Sequence, residues 1–464
     1  MLSGLEAIEL KFSVAAADNN SFRFDSEFWK KEYVANDKWL SEHGAGRLRE
    51  SLKEITGGAT PLGAVYPDVG LPFLRVQNVM QNYINDSDLA FISESDHREL
   101  KRSELKAGDV LLTITGVSYG KSAVVPPRFV GSNINQHSVR MRVNQRHLLP
   151  HFLSTFLNCK YGKLQSDRNI VGVTRPALDY ATIANFKIPR PSIEFQKAVQ
   201  GIILKAAADF ELSRQLTITT NQILFAALGL NEWQPNDDLA CARSATDVFG
   251  SGRLDAEYFR PRYQSLLALL RRQGKTLRDV ARLREVIFTP RAGRPFHYIE
   301  IGNLAVDGAA TSYIVPGEEA PSRAKWIVQP GDVITSTVRP NRCLTGLIES
   351  EQAGNVCSSG FAALNPRSIP SELLFAYLRL PVICELMDLH TTASMYPAIS
   401  TTDLMGLPFL FPDDATISKV KQQITASRAA RREAAARLEK AKLAVEMAIE
   451  KNESAGLAEL SGHM

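Results

Sequence analysis

The 464 residues carry 54 Lys and Arg against 50 Asp and Glu, a formal charge of +4, with 44% hydrophobic and 22% charged residues. This is the make-up of a soluble globular protein of two to four domains, and a charge this small does not by itself announce nucleic acid. No apolar run reaches membrane-spanning length and the N-terminus has no basic stretch before a long apolar core, so the expected location is the cytoplasm and a membrane role is excluded.

Residues 1–191 alternate short β-branched and aromatic runs with Gly, Pro, Asn and Asp turns, which predicts a strand-rich body. Gly108-Asp109 is a turn dipeptide leading into a strand of Val, Leu, Ile and Thr. Next, Thr115-Gly116-Val117-Ser118-Tyr119-Gly120-Lys121-Ser122 looks like a phosphate-binding loop with Thr for its first glycine. Such a loop works because it opens a helix whose N-terminal N–H groups face the phosphate. Here Ala-Val-Val-Pro-Pro follows, and proline disfavours a helix start, so the stretch reads as strand, glycine turn, strand. A helical patch at 148–165 supplies core Phe and Leu, making the body mixed α/β.

From 192 to 228 the pattern becomes a long helix. Pro191 precedes it, Ser192 caps it, and Phe195, Val199, Ile202, Ala206, Leu216, Ile223 and Ala227 form a seam interrupted at Asp209 and Ser213. Residues 229–250 read as a linker, with Gly250 and Gly252 in a turn. A second strand-rich body spans 251–412, with a helical patch at 371–389. A last long helix occupies 413–453, with Asp414 as cap. Ile417, Val420, Ile424, Ala434, Leu438, Ala441, Val445 and Ala448 form its seam, interrupted at Ser427 and Arg431. About 35 residues make a rod of roughly 50 Å, and two rods with one apolar seam each most simply pair with one another.

The chain repeats itself at about 220 to 230 residues. The block at 23–33 returns at 253–263, that at 73–79 returns at 298–304, and that at 105–116 returns at 328–339. The block at 174–191 is answered at 395–412. Four matched blocks in one order mean two copies of one design.

Catalytic equipment does not assemble. Asp247 to Gly252 resembles the cofactor loop of adenosylmethionine-dependent methyltransferases, but the segment before it is too polar for a buried strand and no Asn/Asp-Pro-Pro-Tyr tetrapeptide occurs. The histidines lack metal-ligand spacing, and no serine sits in a nucleophile elbow. Cys159, Cys241, Cys343, Cys357 and Cys384 are scattered with no C-x-x-C pair, which suits reduced thiols.

What remains is polar recognition chemistry at matching places. The first copy offers Arg75, Gln77 and Asn78; then Thr115, Ser118, Tyr119 and Lys121; then Asn133, Asn135 and Gln136; then Thr174 and Arg175. The second offers Asn303; Ser336, Thr337, Arg339, Asn341 and Arg342; and Thr392, Ser394 and Tyr396. Arg reads guanine, Asn or Gln reads adenine, and Ser, Thr and Lys hold phosphates or base edges. The scaffold blocks match while these residues differ, as expected if each copy reads a different short sequence.

Two divergent globular halves, each closed by a long helix, resemble the specificity subunit of Type I restriction-modification systems. The Gly-Asp strand block, Ser-Thr-Val-Arg-Pro at 336–340 and the segment 358–366 resemble that family's target-recognition domains. The resemblance covers nearly the whole chain and implies an α+β fold of two tandem mixed α/β target-recognition domains. Each is followed by a long α-helix, the two pairing as an antiparallel coiled-coil spacer. It implies a non-catalytic subunit that binds double-stranded DNA in the major groove, one half of a bipartite site per body. The helices would dock two methyltransferase subunits, with nuclease and translocase subunits joining that core. No cofactor belongs to this chain; S-adenosylmethionine, ATP and Mg belong to the partners. The competing readings are a self-contained DNA methyltransferase or nuclease with duplicated halves, or the specificity subunit of a related phage-defence system.

Overall fold

The computed structural model describes residues 8–9, 11–13, 23–63, 65–116, 118–172, 177–305, 307–392 and 395–462. The chain falls into two compact units, Met1–Glu211 with Arg431–Met464, and Leu212–Ala430. Their limits lie inside the two long helices rather than at 191 and 412, so each unit holds a part of both.

In the first unit, β1 (Leu52–Gly57), β2 (Leu71–Leu74), β3 (Ala90–Ile92), β4 (Val110–Thr113), β5 (Ser122–Val124), β6 (Asn133–Ile134) and β7 (Ser138–Val143) form two sheets. One is antiparallel in the order β1-β7-β4-β5; the other runs β3-β2-β6, with β2 and β6 parallel. β4 is buried at every position, which a central strand of Val, Leu, Leu and Thr can satisfy because its backbone pairs on both sides. The turn into it is fixed by Gly108 at φ 86° and by Asp109, whose carboxylate accepts the Lys106 N–H at 2.8 Å and pairs with Arg142 at 2.8 Å.

The helical patch that follows is two helices, α1 (Pro150–Asn158) and α2 (Lys160–Asn169), broken at Cys159, whose backbone is extended. His151 of α1 lies 3.2 Å from the Gln200 amide, and burial lowers its pKa to about 4. The folded-state value lies below the unfolded one, so the unfolded chain binds the proton more readily. This contribution is complete above pH 6.5 and is lost as pH falls from about 6.5 towards 4. Replacing His151 by Gln should therefore flatten the fall of the melting temperature across that window; an unchanged slope would count against it.

The long helix α3 (Ile193–Ala227) starts as the sequence predicts, with Ser192 Oγ accepting the Phe195 N–H at 3.2 Å. A polar segment follows, and the expected linker turn is instead a short helix, Ala245–Ser251. It fits because Ser244 caps it and Gly252, at φ 68°, ends it.

The second unit repeats the first. Its strands are β8 (Ala281–Leu283), β9 (Phe296–Ile299), β10 (Tyr313–Val315), β11 (Ala324–Ile327), β12 (Val333–Ser336), β13 (Thr345–Leu347), β14 (Val356–Ser358) and β15 (Phe361–Pro366). The orders are β8-β15-β12-β13 and β10-β9-β14-β11, with β9 and β14 parallel. Strand for strand this is the first topology with one added edge, β11. Gly331 takes φ 85°, and Asp332 accepts the Gln329 N–H at 2.8 Å, as Gly108 and Asp109 do. Helices α4 (Ser371–Tyr377) and α5 (Pro381–Leu389) follow, separated where Pro381 forbids continuation.

The last long helix, α6 (Asp414–Glu450), is capped one residue earlier than expected: Asp413 accepts the Thr416 N–H at 2.7 Å. In the first unit Phe195, Val199, Ile203 and Ala206 of α3 share one core with Ala434, Leu438, Ala441 and Val445 of α6. In the second unit Leu224 of α3 and Leu228 just beyond it share a core with Val420 and Ile424. Ser213 and Ser427, the seams' interruptions, meet with hydroxyls 2.9 Å apart, and Thr220 donates to Gln423 at 3.0 Å. The run in α3 rises while that in α6 falls, so the pairing is antiparallel. Because Ser213 stays on the seam through this bond, Thr220 and Leu224 are buried, while Leu216 and Ile223 are half-buried and Ala227 is exposed. A final helix, α7 (Glu453–Ser461), lies beyond the helix expected to end at 453. Among the described residues, no helix is long and apolar enough to cross a membrane.

Candidate nucleic-acid interface

The glycine turn after β4 is built without a phosphate cradle. Gly116 and Gly120 take φ 71° and 82°, Thr113 Oγ1 donates to the Ser118 carbonyl at 2.6 Å, and the Lys121 N–H donates to Thr113 Oγ1 at 2.9 Å. The chain then enters β5 directly, so the turn does not open a helix. Lys121 is half-buried with no carboxylate paired to it among the described residues, and that burial lowers the pKa of its ammonium. An ammonium in that setting gains most from an anion brought to it.

Around the turn, Thr115 Oγ1 and His137 Nδ1 share a hydrogen bond at 2.6 Å, and Thr115 bridges to Ala177. Asn135 donates its N–H to the Leu74 carbonyl at 3.2 Å, which brings the end of β2 and Arg75 to the same edge. Gln136 is exposed and bonded to Thr60. Arg75 and Gln77 converge on Asp88, each at 3.2 Å. Thr174 and Arg175, and Ser394 in the second copy, lie outside the described residues.

Several expected readers are structural instead. Asn78 is buried, its carbonyl accepting the Arg75 N–H at 2.9 Å and its amide bonded to the Asn85 and Asp88 carbonyls at 3.0 Å each. Asn303 repeats the first bond, accepting the Glu300 N–H at 3.1 Å. Asn133 is fully buried and satisfied by His97, the Leu100 carbonyl and Ser103, so it has no edge left for a base. Tyr119 donates to Asp167 at 2.8 Å under the ammonium of Lys163, and burial first, then Asp167, raises its pKa. Ser336 and Thr337 are buried, donating to the Val338 and Gly360 carbonyls at 2.8 and 3.0 Å. Each of these sits where a strand or turn needs a local bond, and hydroxyl and amide side chains supply it.

In the second body the exposed set is compact. Arg339, Asn341 and Arg342 are exposed on the turn after β12, and Thr392 and Tyr396 are exposed on the hairpin beside it. Val338 bridges to Ala398 just as Thr115 bridges to Ala177, so the two copies share this bridge at the corner.

Residues not anticipated from sequence also stand out. Arg23 donates to the Arg168 and Ile170 carbonyls at 3.2 and 3.1 Å, and Arg253 donates to the Leu389 carbonyl at 2.9 Å. Both tie the start of their body to the end of a later helix, and both pair with the aspartate two places on, at 2.7 Å. Their signal in the sequence is the repeated Arg-x-Asp block at 23–25 and 253–255. Thr60-Pro61 and Thr289-Pro290 open matched loops, with Tyr66 40% exposed in the first and Arg291 and Arg294 exposed in the second. Among the described residues no three His, Cys, Asp or Glu side chains converge as a metal site.

Residues 50–221, which include the first turn and its neighbouring strands, match the Type I restriction modification DNA specificity domain. Over these residues the chain is similar to the Type I restriction-modification specificity family. The specificity subunit of the Type I restriction enzyme EcoBI from Escherichia coli is 27% identical to it over 154 residues, 32% of each chain. The match thus spans about a third of that relative's length. The crystal structure of an HsdS subunit from Thermoanaerobacter tengcongensis aligns over 90% of this chain and 96% of its own, at 18% identity and a TM-score of 0.27. The Type I S subunit of M. genitalium aligns over 91% and 96%, at 12% identity and a TM-score of 0.34.

Proposed function

We propose that this chain is the non-catalytic, sequence-specific DNA-reading subunit of a cytoplasmic Type I restriction-modification complex. Each body reads one part of a bipartite double-stranded site, and the antiparallel helix pair docks two methyltransferase subunits, which nuclease and translocase subunits join. S-adenosylmethionine, ATP and Mg serve those partners. One observation carries this reading: the two copies share their buried bonds and differ in what they expose. Asp109 and Asp332 hold the same turn, and Asn78 and Asn303 accept the same backbone N–H. On the matched corner one copy has exposed Gly116 and half-buried Lys121, the other exposed Arg339, Asn341 and Arg342. A scaffold kept constant under variable exposed donors suits two readers of different sequences.

The test begins with Lys121. Its side chain supplies an unpaired positive charge, so Lys121→Ala should weaken duplex binding and reduce the logarithmic salt slope by about one unit. ATP binding by the isolated chain should be undetectable with or without the substitution. Saturable ATP binding that Lys121→Ala abolishes would restore the phosphate-loop reading.

A further inference from the structure

Among the described residues, three that are not glycine hold a positive φ: Asn82, Arg339 and Cys343. Asn82 is buried in a hydrogen-bond cluster with Ser154 and Asn158, and asparagine tolerates this region. Arg339 is different. It stands at φ 49° and ψ 64° on an exposed corner, in a conformation that a Cβ makes unfavourable. The matched position of the first copy, three residues beyond β4 as Arg339 is beyond β12, holds Gly116 at φ 71°. One design therefore needs a left-handed residue here, glycine meets the need without strain, and the second copy carries a long cation instead. A residue kept against its backbone preference marks a function for its side chain.

That side chain is held in place. The Arg339 backbone N–H donates to the Pro397 carbonyl at 2.8 Å, its Nη2 donates to the Met395 carbonyl at 3.3 Å, and its guanidinium lies 5.4 Å from the Tyr396 ring centroid. No carboxylate pairs with it among the described residues. Tyr396 and Met395 are 68% and 73% exposed, so the clamp contributes little to the core. The result is a planar fork of donors on a fixed mount, with N–H groups left over after the Met395 bond.

We propose that Arg339 is a specificity-determining residue of the second body, reading the O6 and N7 edge of a guanine in the half-site that body recognises, with Tyr396 as its positioning residue. The inference rests on the DNA-reading function proposed above. A guanidinium fork matches that edge in two parallel bonds, which lysine cannot reproduce. Arg342, exposed three residues on, serves as the comparison: as a phosphate contact it would add affinity without sequence preference.

The experiment is selection of randomised duplex DNA by the full chain, followed by sequencing, alongside thermal melting of each variant. Arg339→Gly should melt at the same or a higher temperature, because it relieves the left-handed strain, yet lose roughly ten- to a hundredfold preference for guanine at one position. The other half of the motif should be unchanged. Arg339→Lys should lose the same preference while keeping the charge, and Tyr396→Ala should weaken it. Arg342→Ala should lower affinity for all sequences equally. If the wild-type chain selects a motif and Arg339→Gly selects the same motif, Arg339 is not a reader, although the DNA-reading function stands. Uniform weakening by Arg339→Gly would make it a phosphate contact and equally overturn the assignment. A wild-type chain that enriches no sequence would sink the underlying function.

Discussion

A chain ended after Ala430 should lose the fold of its first unit while keeping that of its second. The first core is not completed by residues 1–211: Ala434, Leu438, Ala441 and Val445 of α6 fill the groove between α3 and the body. Removing them uncovers Phe195, Val199 and Ile203, which are at most 3% exposed in the intact chain. Fully burying a Val or Leu side chain contributes about 1.5–3 kcal/mol, and a domain's whole stability is only about 5–15 kcal/mol. Polar ties go as well. Glu446 accepts the Lys160 N–H at 2.7 Å, Glu450 accepts the Tyr161 hydroxyl at 2.9 Å, and Glu453 accepts the Ser192 N–H at 2.8 Å. Hydrogen exchange reads the outcome strand by strand. Protection should vanish in β4 and β7 and persist in β12 and β15. Full protection of β4 in the shortened chain would mean that the first body closes its core without α6.

That dependence was only half legible in the sequence. The repeat, the strand–turn–strand at 110–124 and the two apolar seams are local patterns, and local patterns survive in a linear reading. Where a seam leads is not local. Ser213 and Ser427 looked like breaks in two separate stripes, and only their meeting shows that a polar pair lies on the stripe itself. The placement of the candidate recognition residues was legible to a similar limit. Arg339 and Arg342 lie on an exposed turn and Lys121 is half-buried, so each keeps side-chain N–H groups within reach of solvent. Asn78, Asn133 and Ser336 are equally polar in sequence, yet their partners are carbonyls and side chains that a strand or turn brings to them. Polarity announces a donor or acceptor; burial decides whether backbone or ligand receives it. Arg23 and Arg253 went unread because their carbonyl partners lie 145 and 136 residues away.

Replacing the first body with that of a relative should change one half of the recognised motif and leave the other half intact. The warrant is the separation between what the copies share and what they expose. Shared groups such as Asp109 and Asp332 hold turns, whereas the corner after β4 and the corner after β12 carry unlike side chains. A reader whose base contacts come from its own corner transfers its preference with that corner. The exchange has a physical condition. The incoming body must meet the α6 seam at Ala434, Leu438, Ala441 and Val445, and it must present a backbone N–H to Glu446 and a hydroxyl to Glu450. Where the relative differs at those contacts, residues 431–464 should travel with 20–190 as one piece. Exchanging 20–190 alone would then lower stability and blur the result. With the condition met, sites methylated in cells that supply the methyltransferase partner should show a new first half beside the original second half. Mapping methylation across the genome decides it, because a change in both halves would make recognition a joint property of the bodies, and a change in neither would remove the first body from recognition altogether.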